Sequence, residues 1–157
     1  MRRDDERGFT LIELMIVVLI IGILVTIALP VMVGAKDRAR DAAAKESAVN
    51  GMKTAKVIYT DAATYTPATT TALAGVDPTF TYVDGATPST GPNVLSTDVP
   101  DALTTGATMV IAVYSNSGTC FFVRDYAPGT LAFGTLIGPQ TDCYAQNTGP
   151  VTFAAGW

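Results

Sequence analysis

One carboxylate, Glu13, stands at the edge of a stretch with no other charge until Lys36, and from Leu14 to Ala35 all 22 residues are uncharged. That run is long enough to cross the roughly 30 Å hydrocarbon core of a bilayer as a helix. A carboxylate there is costly and asks for a partner. A cut after Gly8 would supply one, the new α-amine of Phe9. Glu13 lies about 6 Å along a helix from Phe9 at about 1.5 Å per residue. It can therefore reach water, pair with its own Phe9 amine, or neutralise the Phe9 amine of a neighbouring copy.

The other reactive groups are sparse. Histidine is absent, which removes the usual proton shuttle and the commonest metal ligand. Asp98 and Asp101 fall in a loop with no adjacent base, and no glycine-rich phosphate cradle is present. These features read as a non-enzyme with no cofactor and no catalytic residues; no metal-binding residue is assigned, and a calcium site, which needs several oxygen ligands, is the one metal reading left open. Cys120 and Cys143 are the only cysteines. In a chain exported from the cytosol an even count favours a structural disulfide, which closes a loop of about 24 residues and stabilises by roughly 3–4 kcal/mol in the entropic account.

Charge is unevenly distributed. From Glu13 to Lys56 six basic residues face four acidic ones, a net of +2, whereas beyond Lys56 Arg124 alone faces seven aspartates, a net of −6. An acidic globular part repels phosphate backbones, so the lone subunit is not expected to bind nucleic acid directly. The apolar run is longer than the h-region of a secretory signal. Three basic residues precede it and four follow closely, so charge counting does not choose an orientation.

The order Gly8-Phe9-Thr10-Leu11-Ile12-Glu13-Leu14-Met15, continuing as an apolar run to Pro30, resembles the N-terminus of a type IV pilin precursor. The resemblance implies that a prepilin peptidase removes residues 1–8 by cutting between Gly8 and Phe9 and methylates the Phe9 amine. It implies that Glu13 sets the register of assembly by pairing with the Phe9 amine of a neighbour. It also implies a single-pass, N-in precursor in the inner (cytoplasmic) membrane that enters an extracellular helical homopolymer with the help of an assembly platform and an ATPase. Residues 1–8 then form the leader, 9–35 the transmembrane and assembly helix, and 36–157 the globular head with the second half of the long helix. Gly22 and Pro30 mark a helix break, since proline lacks an N–H and presses on the carbonyl four residues back. In related filaments that stretch can lose helicity.

The rest of the chain supplies the elements. Ala44, Ala48, Met52, Ala55 and Tyr59 share one face of a 3.6-period helix, so a helix from Phe9 to about Thr60 runs roughly 78 Å at about 1.5 Å per residue. Asp37 with Arg40 and Asp41 with Lys45 make favourable acid-before-base pairs, and Gly51 is a weak spot of about 1 kcal/mol. A Thr/Pro/Gly-rich loop with one strand candidate, residues 79–83, extends to about Ala107. Strands are expected at 109–114, 119–125 and 130–137, each rich in β-branched and aromatic residues and bounded by turn residues. A sheet packed on the second half of a long helix is an α+β arrangement, which agrees with the pilin fold.

Three functions fit: a structural subunit of a type IV pilus; a pseudopilin of a type II-like secretion or DNA-uptake machine; and a single-pass anchored binding domain that never polymerises. The cysteine pair and the long loop lean towards the pilus, and Glu13 argues against the anchor.

Overall fold

The computed structural model describes residues 9–101, 105–126 and 129–157, with only the backbone at 31. The expected leader, including Gly8, and the first two residues of the turn at 127–129 lie outside the described residues. The chain divides into two units, one ending at Lys36 and the other spanning Asp37–Trp157. Helix α1, Leu11–Ala62, contributes to both.

In the second unit α1 lays a stripe of small side chains on a sheet. Ala44, Ser47, Ala48, Met52, Thr54 and Ala55 are buried, the face that the 3.6-residue period predicts, widened by two hydroxyl residues. Gly51 is not a mere weak spot. A Cβ there would lie 2.2 Å from Leu95 Cδ2 and 3.3 Å from Ile111 Cδ1, so its missing side chain lets helix and sheet approach. The helix ends at Ala63, whose φ of 56° is left-handed, a stop more often supplied by glycine.

Five strands follow, β1 (Thr81–Asp84), β2 (Val94–Asp98), β3 (Thr108–Tyr114), β4 (Thr119–Tyr126) and β5 (Thr130–Ile137), in the spatial order β1-β2-β3-β4-β5. Every pair is antiparallel except β1 with β2. The last three strands agree with the sequence expectation to within one residue. Their near-continuous apolar character has a simple cause: both faces of the sheet are covered. Met109, Ile111, Val113, Phe121 and Val123 join the α1 stripe in one cluster. Val110, Ala112, Cys120 and Phe122 face the other way, against Cys143, Ala145 and Val151.

The long loop expected up to Ala107 is more ordered than its composition suggests. It contains a short helix α2, Thr70–Val76, together with β1 and β2. The Thr69 hydroxyl begins α2 by accepting from the Ala72 N–H at 3.2 Å, an N-cap. Strand β2 carries no alternation, since Leu95, Ser96 and Thr97 are all buried. Its hydroxyls are satisfied within the sheet and beyond it: Ser96 Oγ donates to Asp84 O at 3.1 Å and accepts from Ala145 N–H at 2.9 Å.

The parallel β1–β2 pair needs a return segment, 85–93, and buried Ser89 holds it in place. Its hydroxyl donates to Val94 O at 2.5 Å and accepts from Tyr114 N–H at 2.9 Å, and its N–H donates to Cys143 O at 2.8 Å. Cys143 is joined to Cys120 with a Cα–Cα distance of 5.4 Å and a sequence separation of 23. The disulfide fastens the C-terminal segment to the outer face of β4. The molecule is the α+β, pilin-like arrangement expected from sequence: a long helix on a mostly antiparallel sheet with a disulfide-tied C-terminal segment.

Candidate functional site: the N-terminal helix start

The first helical turn is built by Thr10 and Glu13. Thr10 precedes α1 in the N-cap position, and Glu13 is its third helical residue. Glu13 Oε2 accepts from the Thr10 backbone N–H at 2.9 Å and from its hydroxyl at 2.7 Å, while the Glu13 N–H donates to Thr10 Oγ1 at 3.3 Å. This reciprocal pattern is a capping box, in which the first orphan donors of a helix are satisfied by side chains. The sequence carries the signal as Thr10-x-x-Glu13. A carboxylate here also favours the positive end of the helix dipole. Within one chain, therefore, Glu13 is already hydrogen-bonded to Thr10.

The surface beyond it is apolar all round. Phe9, Leu11, Ile12 and Leu14 through Val25 are exposed wherever they are large and hydrophobic, as are Ile27, Leu29, Met32 and Val33. A helix apolar on every face belongs in hydrocarbon or among other helices. Among the described residues α1 is the one helix long and apolar enough to cross a membrane. Leu11, Leu14, Met15, Val18 and Leu19 line a shallow apolar groove along its front.

Gly22 and Pro30 both lie inside the helical span. Nothing within 4 Å would meet a Cβ at Gly22. The Thr26 hydroxyl donates to Gly22 O at 2.8 Å, a bond to the carbonyl four residues back of the kind that bends helices. Thr26 is also the residue whose carbonyl lies opposite the Pro30 ring, so one side chain links the two positions expected to weaken this stretch.

In the head, one of the two expected charge pairs of α1 forms and the other does not. Asp37 and Arg40 pair at 3.0 Å, and Arg40 also donates to Asn116 O at 3.4 Å. Asp41 does not take Lys45. Its Oδ1 accepts from the hydroxyls of Ser115 (2.6 Å) and Ser117, which tie the β3–β4 turn to the helix. Lys45 instead lies over the rings of Phe121 at 5.2 Å and Trp157 at 5.5 Å.

One buried polar cluster escaped the sequence reading. Asp125 is 2% exposed; it accepts from Tyr65 Oη and lies 3.4 Å from Lys56 Nζ. Burial, then the hydrogen bond to Asp125 and its charge, push the Tyr65 phenol well above its ordinary range. Tyr65 and Asp125 are 60 residues apart, so no local motif announces their contact. Asp98 and Asp101, the paired acids of the sequence, have separate tasks. Asp98 accepts from Gln146 Nε2 at 3.0 Å, and Asp101 from the N–H groups of Ala107 (2.9 Å) and Thr108 (3.0 Å). Among the described residues no three His, Cys, Asp or Glu side chains are grouped to hold a metal ion.

Residues 3–29 match a family described as the prokaryotic N-terminal methylation motif. A protein named type II secretion system core protein G from Klebsiella michiganensis is 44% identical over 59 residues, 34% of this chain and 42% of that protein. One of the same name from Escherichia coli is 47% identical over 36 residues, 23% of this chain and 25% of that protein. The chain thus spans less than half the length of the curated relatives it matches. No solved structure matches it.

Proposed function

Since the chain carries the N-terminal methylation motif of the type IV pilin and pseudopilin group, we propose that it is a non-enzymatic, filament-forming subunit serving as the pseudopilin of a type II-like secretion machine. The observation that carries this reading is Glu13 at the head of a helix that is apolar on every face. A membrane anchor needs the apolar surface alone, and a carboxylate at its edge costs free energy. In an assembly of such helices the same carboxylate meets the Phe9 amine of a neighbour once the bond between Gly8 and Phe9 is cut. The pairing rewards only the register that brings the two charges together. The two relatives named as secretion-system core proteins favour the secretion role over a surface pilus.

In this reading the prepilin peptidase, the assembly platform and its ATPase are partners. The membrane holds the N-in precursor before assembly. The stretch from Gly22 to Pro30 supplies the compliance that a packed helix needs. A surface type IV pilus, with its adhesion or motility, is the second reading, favoured by the Cys120–Cys143 bridge of the head.

The test separates these outcomes. Shear filaments from expressing cells, identify the N-terminal peptide of the chain by mass spectrometry, and compare protein export in cells with and without it. A peptide beginning at methylated Phe9, with export lost in its absence, is expected. The same peptide in abundant sheared surface filaments, with export intact, selects the pilus. Finding the chain only in membranes with residues 1–8 attached overturns both.

A further inference from the structure

The last seven residues, Val151–Trp157, wrap around the β5 edge of the sheet. Val151 is buried in the outer-face cluster, and Phe153 meets Phe122 of that face edge-on with centroids 6.5 Å apart. Ala154 and Phe133 then exchange backbone hydrogen bonds at 2.8 and 2.9 Å. Beyond them Trp157 reaches the helix-side face, stacked edge-on against Phe133 at 4.7 Å and Phe121 at 5.6 Å. Its indole N–H donates to Gly134 O at 3.1 Å. Gly134 makes the crossing possible, because a Cβ there would lie 2.3 Å from Val151 Cγ1 and 3.2 Å from Thr152 O.

This strap covers only one rung of the edge. In an antiparallel ladder the outward N–H and C=O groups belong to alternate residues. Since Phe133 points its pair outward to Ala154, Leu131 and Thr135 point theirs outward as well. Among the described residues neither has a backbone partner on that side. Nor does β5 carry the usual protection of an edge. Its sequence Thr-Leu-Ala-Phe-Gly-Thr-Leu-Ile has no charge and no proline, and Ile137 is 86% exposed. Such an edge is a template for another strand. The strand best suited to it is an uncharged antiparallel copy of itself, because two β5 edges related by a twofold axis present the same outward groups to each other.

We propose that Val151–Trp157 is a guard strap that blocks pairing of β5 with β5 of a second copy of this chain, and that lifting it opens the edge to that partner. The inference stands on the head alone and holds whether or not the chain assembles through its N-terminal helix.

The experiment uses the full chain in detergent micelles, comparing the native protein with Ala154→Pro/Trp157→Ala, which removes the strap's N–H and its ring. Formation of the Cys120–Cys143 bridge and an unchanged circular-dichroism spectrum report folding. The strap variant is expected to shift from the oligomeric state of the native chain to one with twice as many copies in analytical ultracentrifugation. Adding Thr135→Pro, which deletes an outward N–H of β5 and is tolerated on an edge, is expected to reverse that shift. A strap variant that stays in the native state overturns the proposal. So does association that Thr135→Pro leaves in place, because the contact then runs through uncovered apolar surface. If the double variant fails to fold, Trp157→Ala alone, with and without Thr135→Pro, gives the same two readings.

Discussion

Glu13 is held by Thr10 of its own chain: one carboxylate oxygen accepts both the backbone N–H and the hydroxyl of Thr10, at 2.9 and 2.7 Å. In the proposed assembly, a carboxylate that pairs with the amine of a neighbour thus begins in a local hydrogen-bonded site. Satisfying it in this way lowers the cost of placing it at the edge of an apolar helix. The same bonds must be exchanged or shared if an intermolecular pair is to form.

Capping and charge can be separated at this position. Glutamine can still serve the capping box with Thr10, yet it carries no charge. Glu13→Gln, like Glu13→Ala, is expected to preserve processing at Phe9 while abolishing filaments. Thr10→Ala, which removes the hydroxyl and about 1 kcal/mol of capping, is expected to leave filaments present. Immunoblots of sheared material and the Phe9 peptide report both. Abundant filaments from Glu13→Gln would assign Glu13 to capping and sink the charge-pairing mechanism.

The Tyr65–Asp125 contact gives the head a pH dependence at its alkaline end. Folded Tyr65 holds its proton above the usual tyrosine range, through burial and then the Asp125 carboxylate. Unfolded tyrosine loses its proton near about pH 10. Above that value the folded state binds more protons than the unfolded one, so stability falls as pH rises. Tyr82, raised mainly by burial, contributes with the same sign. Tyr65→Phe is expected to cost about 1–3 kcal/mol at neutral pH, by leaving a buried acceptor without its hydroxyl donor, and to flatten the alkaline decline. Urea midpoints from about pH 8 to about pH 11 measure both. An unchanged alkaline slope in the variant would detach the pH dependence from this pair.

Gly51 predicts the opposite of its helix propensity. On an exposed helix, replacing glycine gains about 1 kcal/mol with alanine and less with a β-branched residue. Here the Cβ would enter the space of Leu95 Cδ2 at 2.2 Å, and Leu95 is fully buried. Gly51→Val is therefore expected to destabilise by about 1–3 kcal/mol through overpacking, read as a lower thermal midpoint. A raised midpoint would mean that Leu95 moves aside freely.

The sequence by itself determined whatever is encoded in near neighbours. The apolar run after Glu13, the helical stripe Ala44–Ala48–Met52–Ala55 and the strands near 109–114, 119–125 and 130–137 all follow from periodicity or residue type over a few positions. The resemblance carried by Gly8 to Pro30 agrees with the methylation-motif match over residues 3–29. The even cysteine count anticipated the Cys120–Cys143 bridge.

Tertiary structure decided what depends on residues far apart in the chain. Strand β2 is invisible to alternation because neighbours cover both of its faces. Asp41 turned from Lys45 to Ser115 and Ser117 because two fixed hydroxyls in the β3–β4 turn complete its coordination in a way one flexible lysine does not. Gly51 changed from a weakness to a requirement once a sheet lay against it. The path of Trp157 around the β5 edge depends on Gly134, Phe121 and Lys45, which share no pattern in sequence. Local periodicity records which face of an element is apolar, but a contact between distant elements exists only when the backbone brings both partners to one place.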